Sequence, residues 1–118
     1  LPTARAALDQ SGADMVMIGR AAEGRPWLIA ELDSALAGEV RSISMADKLS
    51  ALTAQLERSL IFYGDHIGLR MMRKHLAAFA GVEFAADPGL RQGLCQTAEP
   101  ATVFKLLSGL QERTHIAA

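Results

Sequence analysis

Met15-Val16-Met17-Ile18-Gly19-Arg20-Ala21-Ala22-Glu23-Gly24-Arg25-Pro26-Trp27 places four apolar residues, without alternation, directly before a glycine and an arginine. A short continuous apolar run between turn signals reads as a strand buried on both faces, as in a parallel sheet. A buried helix is the competing reading, but Gly12 and Gly19 leave too little length for one. Upstream, residues 2–11 read as a short helix, with Pro2 suited to its first position and Gly12 to the position past its end. Helix, buried strand and glycine together are the grammar of an α/β unit. A lone parallel strand cannot exist without neighbours, so its partners are expected upstream of Leu1 or from another chain.

Downstream the pattern turns helical. Pro26 sits near the start of a helix whose apolar stripe is Leu28 or Ile29, Leu32 and Leu36, with Gly38 ending it. Residues 39–44 lack periodicity and read as a linker, which puts a domain boundary between 1–40 and 41–118. Ser44 suits an N-cap, and Met45, Leu49, Leu52, Leu56, Leu60 and Tyr63 then follow at helical spacing until Gly64. Asp65 caps a second helix to about Ala80, with Leu69, Met72, Leu76 and Phe79 on one face. Asp87-Pro88 opens a short helix carrying Leu90 and Leu94, and Thr97 opens the last, with Val103, Leu106 or Leu107, and Leu110 inward. The fold class expected is therefore mainly α: a small helical bundle preceded by one α/β unit.

Composition agrees and excludes several classes. Half of the 118 residues are apolar and 21% are charged, with Ala and Leu far more frequent than Val and Ile. The net charge of −1 gives no global basic field, so nucleic-acid contact requires a local patch. One cysteine excludes an internal disulfide framework, and His66, His75 and His115 show no metal-ligand spacing. No apolar run approaches the ~18–20 residues that span a bilayer, and no signal-peptide pattern is present, so a soluble, cytoplasmic protein is expected.

Two groups of residues point to chemistry. A glycine directly after a parallel strand lets a backbone N–H approach an anion, and the Arg20 guanidinium beside it matches phosphate geometry. A tight turn at Gly19 with Arg20 paired to a carboxylate is an equal reading. His66, Arg70, Arg73 and Lys74 fall on one side of the second bundle helix, opposite its apolar stripe. Three cations without an interleaved acid suit an anionic partner such as a phosphate backbone, although a solvated helix face is the commoner meaning. Cys95 reads as a small core residue, His75 as a satisfied core or boundary histidine, and Trp27 as a packing anchor between the α/β piece and the bundle. No Ser/His/Asp constellation, catalytic carboxylate pair or Walker-type loop occurs.

The stretch from Gly12 to Trp27, with Met17-Ile18-Gly19-Arg20-Ala21-Ala22 and Gly24-Arg25-Pro26-Trp27, resembles the tRNA-dihydrouridine synthases, especially their bacterial B-type branch. Phe62-Tyr63-Gly64, then Arg70 and Arg73-Lys74-His75-Leu76, are similar to that family's C-terminal helical domain in order and spacing. The resemblance runs from about Leu1 to Leu110. It implies that residues 1–40 are the last α/β unit of an incomplete (β/α)8 flavin barrel and that 41–118 are a helical tRNA-binding domain. It further implies FMN as cofactor, NADPH as reductant, and saturation of the C5–C6 bond of uridine in tRNA. Gly19 and Arg20 would help hold the FMN phosphate; Arg70, Arg73 and Lys74 would contact tRNA. The family's catalytic cysteine lies in a part of the barrel these 118 residues lack, and Cys95 falls in the wrong domain to replace it. No catalytic residue is therefore expected here, and the 118 residues alone are expected to be inactive and to bind FMN weakly or not at all. A bare strand at 15–18 should drive dimerisation through 1–40 or leave that segment disordered. The alternative expectation is a stand-alone helical RNA- or protein-binding module.

Overall fold

The computed structural model describes residues 2–117, so the outermost residues of the expected 1–40 and 41–118 units, Leu1 and Ala118, lie outside it. Six α-helices run in order: α1 Pro2–Ser11, α2 Leu28–Leu36, α3 Met45–Tyr63, α4 Asp65–Glu83, α5 Pro88–Gln96 and α6 Pro100–Ala117. A single 3-10 turn, Arg20–Ala22, follows the apolar run. The helical expectation holds for every helix inferred from spacing.

Local chemistry explains the boundaries. The Asp47 amide donates to Ser44 Oγ at 3.1 Å, so α3 starts where its cap was expected. The Leu90 amide donates to Asp87 Oδ1 at 3.0 Å, and Pro88 occupies the first turn of α5 without an N–H to satisfy. Four boundaries move. Gly64 caps α4 and Asp65 is its first helical residue; α4 continues three residues past Ala80. The last helix begins at Pro100, because Thr97 Oγ1 accepts from the Glu99 amide and turns the chain before it. Pro26 belongs to a turn, and α2 starts at Leu28.

The core belongs to α3–α6. α3 packs on α4 and α6, while α5 closes the opposite side against α4 and α6. Leu49, Leu52, Leu56, Leu69, Met72, Leu76, Phe79, Leu94, Val103, Leu107 and Leu110 are buried together. The α3–α4 elbow is tightest at Gly68, where a Cβ would come within 2.6 Å of the Ser59 carbonyl oxygen. Ser59 Oγ donates to the Gly68 carbonyl at 2.9 Å across the same contact. Only a residue without a side chain permits this approach.

The expectation of a strand at Met15–Ile18 is corrected: no strand occurs among the described residues. The segment has no regular secondary structure and no ladder partner, and a parallel strand needs a neighbouring backbone to hydrogen-bond. Nor is it buried on both faces. Met15 and Met17 are 84% and 85% exposed, while Val16 and Ile18 are half-buried. These two line a hollow with Leu8, Ile29, Leu32 and Leu36, so α1 and α2 cover one face of the segment. The radius of gyration, 16.0 Å, exceeds the roughly 13.5 Å of a compact chain of this length, consistent with this small lobe standing beside the bundle.

Candidate functional site

The turn after Ile18 is where the lobe meets the bundle. Gly24 adopts φ +71°, and a Cβ there would lie 2.6 Å from the Phe79 amide nitrogen and 2.7 Å from the His75 carbonyl oxygen. The Gly24 turn thus rests directly on the α4 backbone, with a conformation and a closeness that both demand glycine. The Gly24 amide donates to His75 Nδ1 at 3.3 Å. Lys74 Nζ meets Glu23 Oε1 at 3.5 Å. Three residues after Gly24, Trp27 is 6% exposed and packs edge-on against Phe79, with ring centroids 6.2 Å apart. Lys48 Nζ lies 5.4 Å from the Trp27 ring centroid and pairs with Glu83 at 2.8 Å. The anchoring role expected of Trp27 is thereby met.

His75 is the satisfied boundary histidine expected, half-buried and accepting a hydrogen bond. Burial pushes its pKa down, Lys74 pushes the same way, and Glu23 opposes them. A neutral ring that accepts at Nδ1 carries its proton on Nε2. Sequence reasoning missed this dock because Gly24 and His75 are 51 positions apart. The available signal was that both residues stand inside the two motifs quoted above.

Gly19 and Arg20 stand at the exposed tip of the same turn. Gly19 precedes the 3-10 turn, with open space where a Cβ would be. Arg20 is exposed, and among the described residues its guanidinium has no ion-pair or hydrogen-bond partner. The carboxylate pairing that competed as a reading for Arg20 is not formed; Arg25 makes such a pair instead, with Glu31 at 3.4 Å.

The structure divides the four residues of the α4 basic face. His66 and Arg70 are exposed, and Arg70 borders a hollow with Ile67, Met71 and Lys74. Lys74 is exposed but shared with Glu23. Arg73 is half-buried, and its Nη2 donates to the Thr97 carbonyl at 3.4 Å, while its Nε is buried without a partner among the described residues. The Cys95 thiol lies 3.9 Å from the Arg73 carbonyl oxygen, and burial pushes its pKa up against the pull of Arg91 and Arg73. Such a thiol is not poised as a thiolate. Among the described residues no cluster of His, Cys, Asp and Glu could hold a metal ion, and no helix is long and apolar enough to cross a membrane.

A family model described as dihydrouridine synthase matches residues 1–115. The chain belongs to the dihydrouridine synthase family. The chain is 41% identical over 114 residues to a probable tRNA-dihydrouridine synthase of Rhodobacter capsulatus, covering 94% of the chain and 34% of that relative. It is 38% identical over 91 residues to tRNA-dihydrouridine synthase B of Pseudomonas aeruginosa (75% of the chain, 26% of the relative). With the B enzyme of Escherichia coli K12 the identity is 43% over 76 residues (63% of the chain, 24% of the relative). The chain thus spans about a third or less of the length of these curated relatives. No solved structure matches it.

Proposed function

We propose that these 118 residues are the C-terminal portion of a tRNA-dihydrouridine synthase: the end of a flavin barrel in 1–40, joined to a tRNA-binding helical domain in 41–118. The observation that carries this reading is the dock of the Gly24 turn on α4. It fixes Gly19 and Arg20, at one end of the turn, relative to Arg70 and Lys74 on the helix beneath it. An enzyme that reduces one base of a folded RNA must hold its cofactor and its RNA grip in fixed register, because the target base has to leave its stack.

The residues present fit one end of FMN. The free guanidinium of Arg20 and the open approach to Gly19 suit a phosphate. When bound, the flavin supplies hydride chemistry at the pyrimidine C5–C6 bond, with NADPH as the reductant of the whole enzyme. Arg20 would orient the phosphate, and His75 would hold the turn from which Arg20 projects. Arg70 and Lys74 would contact the RNA backbone, with Arg73 adding positive field from its half-buried position. Cys95, held between α4 and α5 with a raised pKa, takes no part in this reading, and the 118 residues alone are expected to show no turnover. The site of action is the cytoplasm, where tRNA is modified.

The test is genetic and chemical together. Disrupting the gene that encodes these residues should remove dihydrouridine from at least one tRNA position, read by mass spectrometry of digested tRNA. An unchanged dihydrouridine content at every position would overturn the assignment.

A further inference from the structure

The junction between lobe and bundle carries two ion pairs of unlike kind. Lys48 Nζ and Glu83 Oε1 meet at 2.8 Å with side chains only 20% and 18% exposed, and the same ammonium sits over the Trp27 ring. Lys74 Nζ and Glu23 Oε1 meet at 3.5 Å with side chains 57% and 37% exposed. The first pair is built into the packing; the second stands in water, where an ion pair is weak and open to exchange. Nor does the turn depend on it. The Gly24 amide bond to His75 Nδ1, the contact of Gly24 with the α4 backbone and the Trp27–Phe79 packing hold the turn without the Glu23 carboxylate. The Glu23 side chain is therefore free to let go while the turn stays docked. Its partner is set apart as well. Lys74 and Arg70 lie one helical turn apart and line one hollow of about 520 Å³ with Ile67 and Met71. Among the described residues neither His66 nor Arg70 makes an ion pair, so the one carboxylate paired with this basic face comes from the lobe.

We propose that Glu23 is a counter-anion that an RNA phosphate displaces from Lys74, and that it thereby sets how tightly, and with what salt dependence, α4 takes RNA. The exchange is balanced in charge: one anion leaves the ammonium as another arrives, since a carboxylate and a phosphate crowded on one ammonium repel each other. An isolated anion gains little from it. A phosphate backbone that also meets the unpaired Arg70 is favoured, because counterion release along the backbone outweighs a single exposed pair. The inference rests on the RNA-contact reading of α4 and adds to it a residue of the lobe with which RNA must compete.

The experiment reads the fluorescence anisotropy of a labelled, unmodified tRNA transcript with the whole chain over a salt series. Glu23→Gln should bind several-fold more tightly than the unaltered chain, with a slope of log K against log salt steeper by up to about one, because Lys74 then starts unpaired. Lys74→Gln should bind several-fold more weakly, and adding Glu23→Gln to it should change nothing further, the signature of an effect carried by this pair. Glu57→Gln, which removes the same charge from the side where α3 meets α6, should leave affinity as it was. Trp27, the chain's single tryptophan, reports the dock, and its emission in Glu23→Gln should match that of the unaltered chain. Equal tightening by Glu23→Gln in the Lys74→Gln background, or by Glu57→Gln, would reduce the effect to net charge and overturn the exchange. Unchanged or weaker binding by Glu23→Gln, beside a loss in Arg70→Glu, would overturn it and leave the RNA face standing. A shifted Trp27 emission in Glu23→Gln would make the pair part of the dock and overturn it too. Absence of RNA binding at every salt concentration would overturn both the exchange and the RNA reading.

Discussion

Gly24 and His75 carry the junction between lobe and bundle, and each makes a sharp demand. Any side chain at Gly24 meets α4 backbone within 3 Å and must also tolerate φ +71°, so Gly24→Ala should cost about 3 kcal/mol in urea unfolding. Gly81, on the same helix, has open space around its missing Cβ, and Gly81→Ala should instead stabilise by about 0.5–1 kcal/mol. Equal effects at the two positions would contradict the close approach. His75 makes the dock sensitive to pH. Its folded pKa is lowered, chiefly by burial, so the unfolded chain binds the proton first as pH falls. The stabilisation is complete above the ordinary value of about 6.5 and is lost as pH drops through that value toward the lowered one. NMR should show the Gly24 amide exchanging faster in step with His75 protonation; an amide indifferent to that titration would refute the bond. Neither residue's role was legible from spacing, since a contact across 51 positions leaves no local pattern. Trp27 was legible, because a large aromatic in a turn between two lobes has few other uses.

Elements were the most readable level. Every helix of the bundle follows from apolar residues three and four apart, and the caps at Ser44 and Asp87 sit where their side chains placed them. Ser44→Ala should therefore lower stability by about 1 kcal/mol, measured by the shift in thermal midpoint, while the unfolding slope in denaturant stays constant. A change below about 0.2 kcal/mol would mean that α3 starts without help from its cap. The basic face of α4 was read less well. Arg73 stands only 40° around the helix from Leu69 at 100° per residue, close enough to the apolar stripe to be drawn inward, and it bonds the Thr97 carbonyl. The apolar run at 15–18 misled for a different reason. Four consecutive hydrophobic residues describe a strand buried by neighbours on both sides, whereas here only Val16 and Ile18 are even half-buried.

For the whole molecule, this half-covered segment has a consequence. Met15 and Met17 present apolar side chains and an unpaired backbone edge, the condition under which strands recruit other strands. The isolated chain is expected to self-associate at tens of micromolar in light scattering, and Met15→Lys with Met17→Lys should restore a monomer while leaving the melting of the bundle unchanged. A monomeric unaltered chain would show that one covered face suffices. Nothing in the composition announced a basic face, since a net charge of −1 hides a local patch; only the helical placement of Arg70 and Lys74 brings the two cations together. The most direct test of RNA contact at this face is the salt dependence of tRNA binding by the chain and by Arg70→Glu. Affinity should fall several-fold in the variant, with the slope of log K against log salt shallower by about one, as for one lost phosphate contact. An Arg70→Glu chain with the affinity and slope of the original would contradict the claim that α4 meets RNA.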